Sequence, residues 1–495
     1  MERSRQVSML RQSSGYGASA IKALVSTPIT RQYVLLGACF VGLLVFIAVS
    51  CSILASPLLA GLGLAAIAIV GLAVKRPGVA IFLVFLSEGL PSLQLPTPGH
   101  TLRLSELTLL LCLSIILLLR PGIRLQFPHV IALLFFSIAL ISFIHVPEFS
   151  TNATVFGANK RVYDLAIILL AFFCGTFLYP MITDLSAFFK LALLSNLPIY
   201  LICLGQALGT HLPTFIVPDQ DPATTGDKGR LVGPFDGAAT LGIYMTGLFA
   251  LSLACWLHAK RPHERLLGAL MTFATLAVVV GSGTRSALMA LGAMLCIALL
   301  LTRRYKLFWS FAIVVIGSLL AFPGTIIAHF THASTSTTNR VFLWHEAFKL
   351  IQAHPIIGIG LEQFHYYYQR LTISQATQLN SHGISVHNQY LEWALEGGLP
   401  WLMTGLLFLL SLLIICGQAY RKAPQNFRIP LLATILLVCA TLITGCLDVP
   451  FDNVETATFL CLIAGLALGC VGQMSRWRPE RRIEEVKENV NADSN

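Results

Sequence analysis

A chain that repeats apolar runs of membrane-crossing length has few ways to fold. Such runs recur here near residues 33–54, 58–74, 78–94, 104–119, 128–146, 161–180, 185–207, 236–257, 266–282, 285–302, 307–323, 399–418, 429–447 and 455–473. A helix needs roughly 20 apolar residues to cross hydrocarbon, and in lipid every backbone polar group must be satisfied within the segment. The expectation is an all-α, polytopic membrane protein with about 12–14 transmembrane helices. Hydrophobic residues at 56%, charged residues at 11% and a mean hydropathy of +0.75 exclude a soluble globular domain. Glu88, Gly89 and Pro91 interrupt the run 78–94, which reads as re-entrant or broken.

The twelve cysteines fall inside these runs with no ligand spacing, and read as small apolar packing residues. The basic N-terminal 32 residues do not read as a cleavable signal peptide. Alternating the loops between two sides places the N-terminus, Lys75-Arg76, Lys260-Arg261, Arg303-Arg304, Arg421-Lys422 and the C-terminal tail together, with most of the 33 Lys and Arg. Basic loops stay in the cytoplasm, so both termini are expected there. The net charge of +10 is then a topology signal and an attraction to anionic membrane lipid, with no nucleic-acid partner.

That reading divides the chain into a cytoplasmic segment 1–32, a helix bundle 33–323, a large extracytoplasmic loop 324–398, further membrane helices 399–473 and a structureless cytoplasmic tail 474–495. The loop 324–398 holds seven of the thirteen histidines. Its Val341, Trp344, Phe348 and Ile351 recur at helical spacing, as expected of an amphipathic helix on the membrane surface.

Arginines on the outward side run against the charge rule. Arg285 lies in Gly281-Ser282-Gly283-Thr284-Arg285-Ser286-Ala287, Arg340 opens the amphipathic helix, and Arg230 follows Gly229 ahead of the span 236–257. A guanidinium offers phosphate a planar fork that stays charged. Each also has a plainer reading, as a snorkelling side chain paired with lipid phosphate or an acidic neighbour. His387 ends the loop in His387-Asn388-Gln389-Tyr390-Leu391, where an imidazole could take a proton from a hydroxyl. Spacing alone does not favour it over His345, His354, His365 or His382. Asp219-Gln220-Asp221 has the look of a metal clamp, but reads better as a solvated turn, and no metal is expected.

The order Gly283-Thr284-Arg285-Ser286-Ala287, Arg340 to Trp344, Pro355-Ile356-Ile357-Gly358-Ile359-Gly360, then His387-Asn388-Gln389-Tyr390-Leu391 with Gly397-Gly398, resembles the O-antigen ligase and O-antigen polymerase (Wzy-like) superfamily of bacterial envelope glycosyltransferases. The resemblance covers roughly residues 225–450. It implies a GT-C-like helical fold and a metal-independent, inverting transfer that needs no cofactor. Donor is undecaprenyl-pyrophosphate-linked glycan, and the acceptor is another glycan or lipid A-core. It also implies that Arg285, Arg340 and, from a weaker match, Arg230 hold the pyrophosphate while His387 activates the acceptor. The motifs do not separate ligase from polymerase. The competing class is a transporter of a small solute, for example bicarbonate, or of lipid-linked glycan; Glu88, Asp164 and Lys190 are the ionisable residues in or near spans that it would use, although no internal repeat is visible.

Overall fold

The computed structural model describes residues 71–492 apart from short stretches, the longest being 120–124, 145–151, 218–228, 314–333 and 368–384. The expected spans 33–54, most of 58–74 and most of 307–323, and the pair Asp219 and Asp221, lie outside the described residues. The chain divides into two compact units, Met1–Pro77 with Ser114–Pro121 and Gly78–Leu113 with Gly122–Asn495; the site and the helices that hold it belong to the second.

The elements are α1 (Pro77–Glu88), β1 (Gln94–Thr97), β2 (His100–Arg103), α2 (Leu104–Leu119), α3 (Phe127–Ile144), α4 (Asn152–Leu178), α5 (Leu185–Leu194), α6 (Leu197–Ala207), α7 (Ala238–His258), α8 (Pro262–Ser282), α9 (Arg285–Leu301), α10 (Ser334–Ala353), α11 (Gln389–Glu396), α12 (Gly398–Lys422), α13 (Arg428–Thr444) and α14 (Val454–Ala492). Among the described residues seven helices are long and apolar enough to span a membrane, and four shorter apolar helices accompany them. The protein is an all-α, polytopic membrane protein; the antiparallel hairpin β1–β2, with Gln94 opposite Arg103, is a small exception.

Three expected spans differ in detail. Helix α1 ends at Glu88 and gives way to the hairpin, where the run 78–94 was expected to break. The run 185–207 divides into α5 and α6 at Ser195-Asn196, because Pro198 lacks an amide proton and Asn196 spends its side chain on the Ala192 carbonyl (3.0 Å) and the Tyr244 hydroxyl (3.0 Å). Helix α14 continues to Ala492 through the tail expected to lack structure. Extending an existing helix needs no new nucleus, and Glu484, Glu485, Lys487 and Glu488 are good helix formers.

At the centre, α4 lies against α14 with the two backbones in contact. A Cβ on Gly465 would strike the Phe172 carbonyl, and one on Gly469 would come within 2.6 Å of the Thr176 carbonyl. Two small residues four apart let membrane helices approach this closely. Leu266, Leu270 and Phe273 on α8 and Met403, Leu410 and Ile414 on α12 are exposed, as side chains facing acyl chains would be.

The helices carry different chemistry at their two ends. Helix α7 starts where Thr284 Oγ1 donates to the Ala238 carbonyl (2.9 Å), and ends where Gln425 Nε2 donates to the His258 carbonyl (3.3 Å). At the His258 end a cavity of about 310 Å3 is lined by Lys190, Lys260, Arg261 and Glu264 among others. The turn 282–284, the loop 445–453 and α11 gather at the other end.

Candidate functional site

The loop 445–453 between α13 and α14 is the hub of that polar end. Thr444 closes α13 by accepting from the Leu447 (3.0 Å) and Asp448 (2.8 Å) amides, which turns the chain sharply and leaves the Leu447 carbonyl and the Asp448 carboxylate for other partners. Arg340 Nη1 donates to the Leu447 carbonyl at 2.7 Å. His387 Nδ1 lies 3.8 Å from Asp448 Oδ1, and Ser286 Oγ donates to Asp448 Oδ2 at 2.9 Å.

Helix α10 presents Leu343, Ala347 and Ile351 to Ile359, Phe364, Val386 and Leu395, and Trp344 Nε1 donates to the Val386 carbonyl at 2.9 Å. Helical spacing alone pointed to Val341, Trp344, Phe348 and Ile351 as the apolar face. Val341 and Phe348 instead face outward, 57% and 55% exposed. Two stripes at neighbouring angles both have helical period, and the position of α11 selects which one is covered.

His387 adopts φ 50°, a left-handed backbone that costs a non-glycine residue about 1–3 kcal/mol. The surroundings hold it there. Its amide donates to Ser385 Oγ (3.2 Å), Asn388 Oδ1 caps α11 by accepting from the Tyr390 and Leu391 amides, and Asn388 Nδ2 donates to the Cys446 carbonyl (3.1 Å). The Gln389 amide donates to the Gly445 (2.9 Å) and Asp448 (3.1 Å) carbonyls, while Gln389 Oε1 accepts from the Phe451 amide (2.7 Å). The run His387-Asn388-Gln389 is thus sewn to the hub.

Behind it, the segment 355–360 and the Gly397-Gly398 pair interlock. The Ile359 amide donates to Leu395 (2.8 Å), Gly360 to Glu396 (3.1 Å) and Leu399 to Pro355 (2.8 Å). Gly358 (φ 76°) and Gly398 (φ 75°) sit where a Cβ would strike the Glu396 and Ile356 carbonyls.

Arg230 and Arg285 share the turn between α8 and α9. Gly283 takes φ 63° to end α8, and Arg230 lies over it, its Nε donating to the Ser282 carbonyl (2.7 Å) and Nη2 to Thr284 Oγ1 (3.4 Å). Arg285 is the first residue of α9 and half-buried, which puts a cationic residue at the positive end of the helix. Through Ser286 and Asp448 this turn joins the hub. The four residues singled out in the sequence are therefore brought to one end of the bundle, Arg230 and Arg285 on one turn, Arg340 and His387 on the loop it touches.

Three contributors escaped the sequence reading. Asp448 stands beside His387, whereas its acidic neighbours in sequence are Glu392, whose Oε2 accepts from Ser385 Oγ at 3.4 Å, and Glu396. Both turn toward Arg161 of α4, with Nη2 3.5 Å from Glu392 Oε1 and Nε 4.0 Å from Glu396 Oε2. Arg161 Nη1 pairs with Asp452 and donates to the Phe451 carbonyl at 3.3 Å. Burial raises the Glu392 carboxyl well above the usual range, with the Asp452 and Glu396 charges adding to it. Burial likewise lifts Glu396 to about 8 against the opposing pull of Arg161. Ser286 and Asp448 carried only the signal of polar residues at span ends; Arg161, an arginine at the start of an apolar run, carried the same signal as Arg285.

Fold and site together define a multi-pass membrane protein that concentrates guanidinium groups, an imidazole and a carboxylate at one end of its bundle. Residues 270–406 match the family model described as O-antigen ligase, which supports the resemblance to the O-antigen ligase and polymerase superfamily over that part of the chain. The match includes Arg285, Arg340 and His387; Arg161, Arg230 and Asp448 lie outside it. No curated protein matches the chain. The family match supports a function of the membrane O-antigen ligase or polymerase type, that of a glycosyltransferase-like enzyme.

Proposed function

We propose that the protein transfers glycan from an undecaprenyl-pyrophosphate carrier to a sugar hydroxyl at the extracytoplasmic face of the bacterial inner membrane, with both termini cytoplasmic. The acceptor is a second glycan or lipid A-core. Arg285, Arg340 and Arg230 hold the pyrophosphate, helped by the N-terminus of α9. The acceptor oxygen attacks the anomeric carbon as its bond to phosphate breaks, and the leaving oxygen takes the electron pair onto the arginine-held pyrophosphate. Attack from the face opposite the phosphate inverts the anomeric centre. The hydroxyl proton passes to His387 Nε2, because Nδ1 faces Asp448, which favours a proton there and stabilises the imidazolium that forms.

The observation that carries this reading is the shared hub: Arg340 on the Leu447 carbonyl, and His387 and Ser286 on the Asp448 carboxylate. The segregation of Lys260, Arg261, Arg421 and Lys422 to the far end of α7 and α12 supports the sidedness. The test is to incubate purified protein with its host's undecaprenyl-pyrophosphate-linked repeat unit, with and without lipid A-core. Carrier-linked ladders identify a polymerase and a capped lipid product a ligase. Arg285→Ala and His387→Ala should each abolish product while protein level and membrane insertion persist; normal product from both variants would refute the assignment.

A further inference from the structure

Arg161 is the most enclosed cation near the hub, its side chain 2% exposed, so it touches neither solvent nor a glycan. Its fork has two edges that address two different elements. Nη1 reaches the α13–α14 loop at Asp452 and the Phe451 carbonyl. Nη2 and Nε face α11 at ion-pair distance without a hydrogen bond, 3.5 Å from Glu392 Oε1 and 4.0 Å from Glu396 Oε2. Helix α11 begins directly after His387-Asn388, and Asp452 follows Asp448 by one turn of chain, so the two elements joined by Arg161 are those that carry the imidazole and its carboxylate. The arginine itself projects from α4, which is locked backbone to backbone against α14 and offers a rigid base.

Resting on the function proposed above, we propose that Arg161 is a positioning residue that sets the separation of His387 and Asp448 by bridging α11 and the α13–α14 loop. Buried ion pairs contribute little net stability compared with apolar packing, so what such a cluster supplies is geometry. A lysine would keep the charge but, as a single point donor, could not serve both edges. Asp452, 31% exposed, is the arm of the bridge that is easiest to cut without disturbing the interior.

The experiment compares Arg161→Lys, Asp452→Asn and the double variant in lipid nanodiscs, using the host's undecaprenyl-pyrophosphate-linked repeat unit as donor. Arg161→Lys and Asp452→Asn should each lower kcat by about 10- to 100-fold, with the donor KM within about threefold of the parent protein. The double variant should be no worse than the poorer single one, since both cut the same bridge. A parental kcat in either single variant overturns the proposal, as does an additive double loss. If Arg161→Lys does not accumulate, Asp452→Asn decides alone by the same criterion. His387→Ala run in parallel separates the two levels of argument. An active His387→Ala removes the proposed function itself, whereas an inactive one beside unimpaired Arg161→Lys and Asp452→Asn removes only the positioning role.

Discussion

Asp448→Asn isolates one charge in the site. Asn retains a carbonyl oxygen for the Ser286 hydroxyl (2.9 Å), and the backbone carbonyl of residue 448 still accepts from the Gln389 amide (3.1 Å), so the loop keeps its shape. What disappears is the negative charge 3.8 Å from His387 Nδ1. Two unit charges about 4 Å apart interact by about 1 kcal/mol in bulk water and about 4 kcal/mol at the dielectric typical near a protein surface. With the His387 side chain 41% exposed and that of Asp448 11%, the pair belongs in the lower half of that interval. Loss of about 2 kcal/mol of imidazolium stabilisation in the transition state slows transfer about 30-fold. Initial rates of glycan joining by purified protein at saturating donor measure this directly. A rate within about threefold of the parent would refute a charge contact between the two side chains. A loss as deep as that of His387→Ala would refute the division of labour, because the carboxylate would then be doing more than steadying a base.

Arg340→Lys should lower kcat/KM for the lipid-linked donor about tenfold, the cost of one charge-assisted hydrogen bond, as steady-state kinetics would register; an unchanged value would make Arg340 a lipid anchor. Gly398→Ala should lower the thermal midpoint of the detergent-solubilised protein, since φ 75° and the Ile356 carbonyl both oppose a Cβ, at about 1–3 kcal/mol for the backbone alone. Gly292→Ala in α9, whose Cβ would meet nothing within 4 Å, should leave the midpoint equal or raised. Glu396 holds its proton up to about pH 8 in the fold, against an ordinary value of 4.5, so the unfolded chain releases that proton first. Stability from this group therefore falls as pH rises from about 4.5 to 8 and is level above, and Glu396→Gln should flatten the midpoint over that window when melts are run across it.

The helices were legible because a bilayer imposes a length on any apolar run, and composition alone then specifies α-helix. The break at Ser195-Asn196 was missed because the run stays apolar through it, although Asn196 with Pro198 was a readable signal. Arg285, Arg340, Arg230 and His387 were legible as polar groups placed where lipid and the charge rule disfavour them, and motif order added His387 over the other loop histidines. Asp448 was not, since an acid at the end of one span and a histidine at the end of another carry no mark of their pairing. Glu392 and Glu396 were the natural candidates to orient His387 by proximity in sequence. Glu392 meets the His387 segment through Ser385, whose Oγ donates to Glu392 Oε2 at 3.4 Å, and both carboxylates turn to Arg161.

By itself the sequence determined that this chain is an all-α, polytopic membrane protein, because hydrocarbon filters polarity residue by residue. Only the tertiary structure decided which of its polar groups meet. Arg340, Ser286 and His387 come from three distant segments and find each other through one nine-residue stretch, 445–453, whose carbonyls and carboxylate are freed by a turn. Contacts of that kind depend on how helices stack, and stacking is settled by glycines such as Gly465 and Gly469, which record only that something must come close and not what it will be.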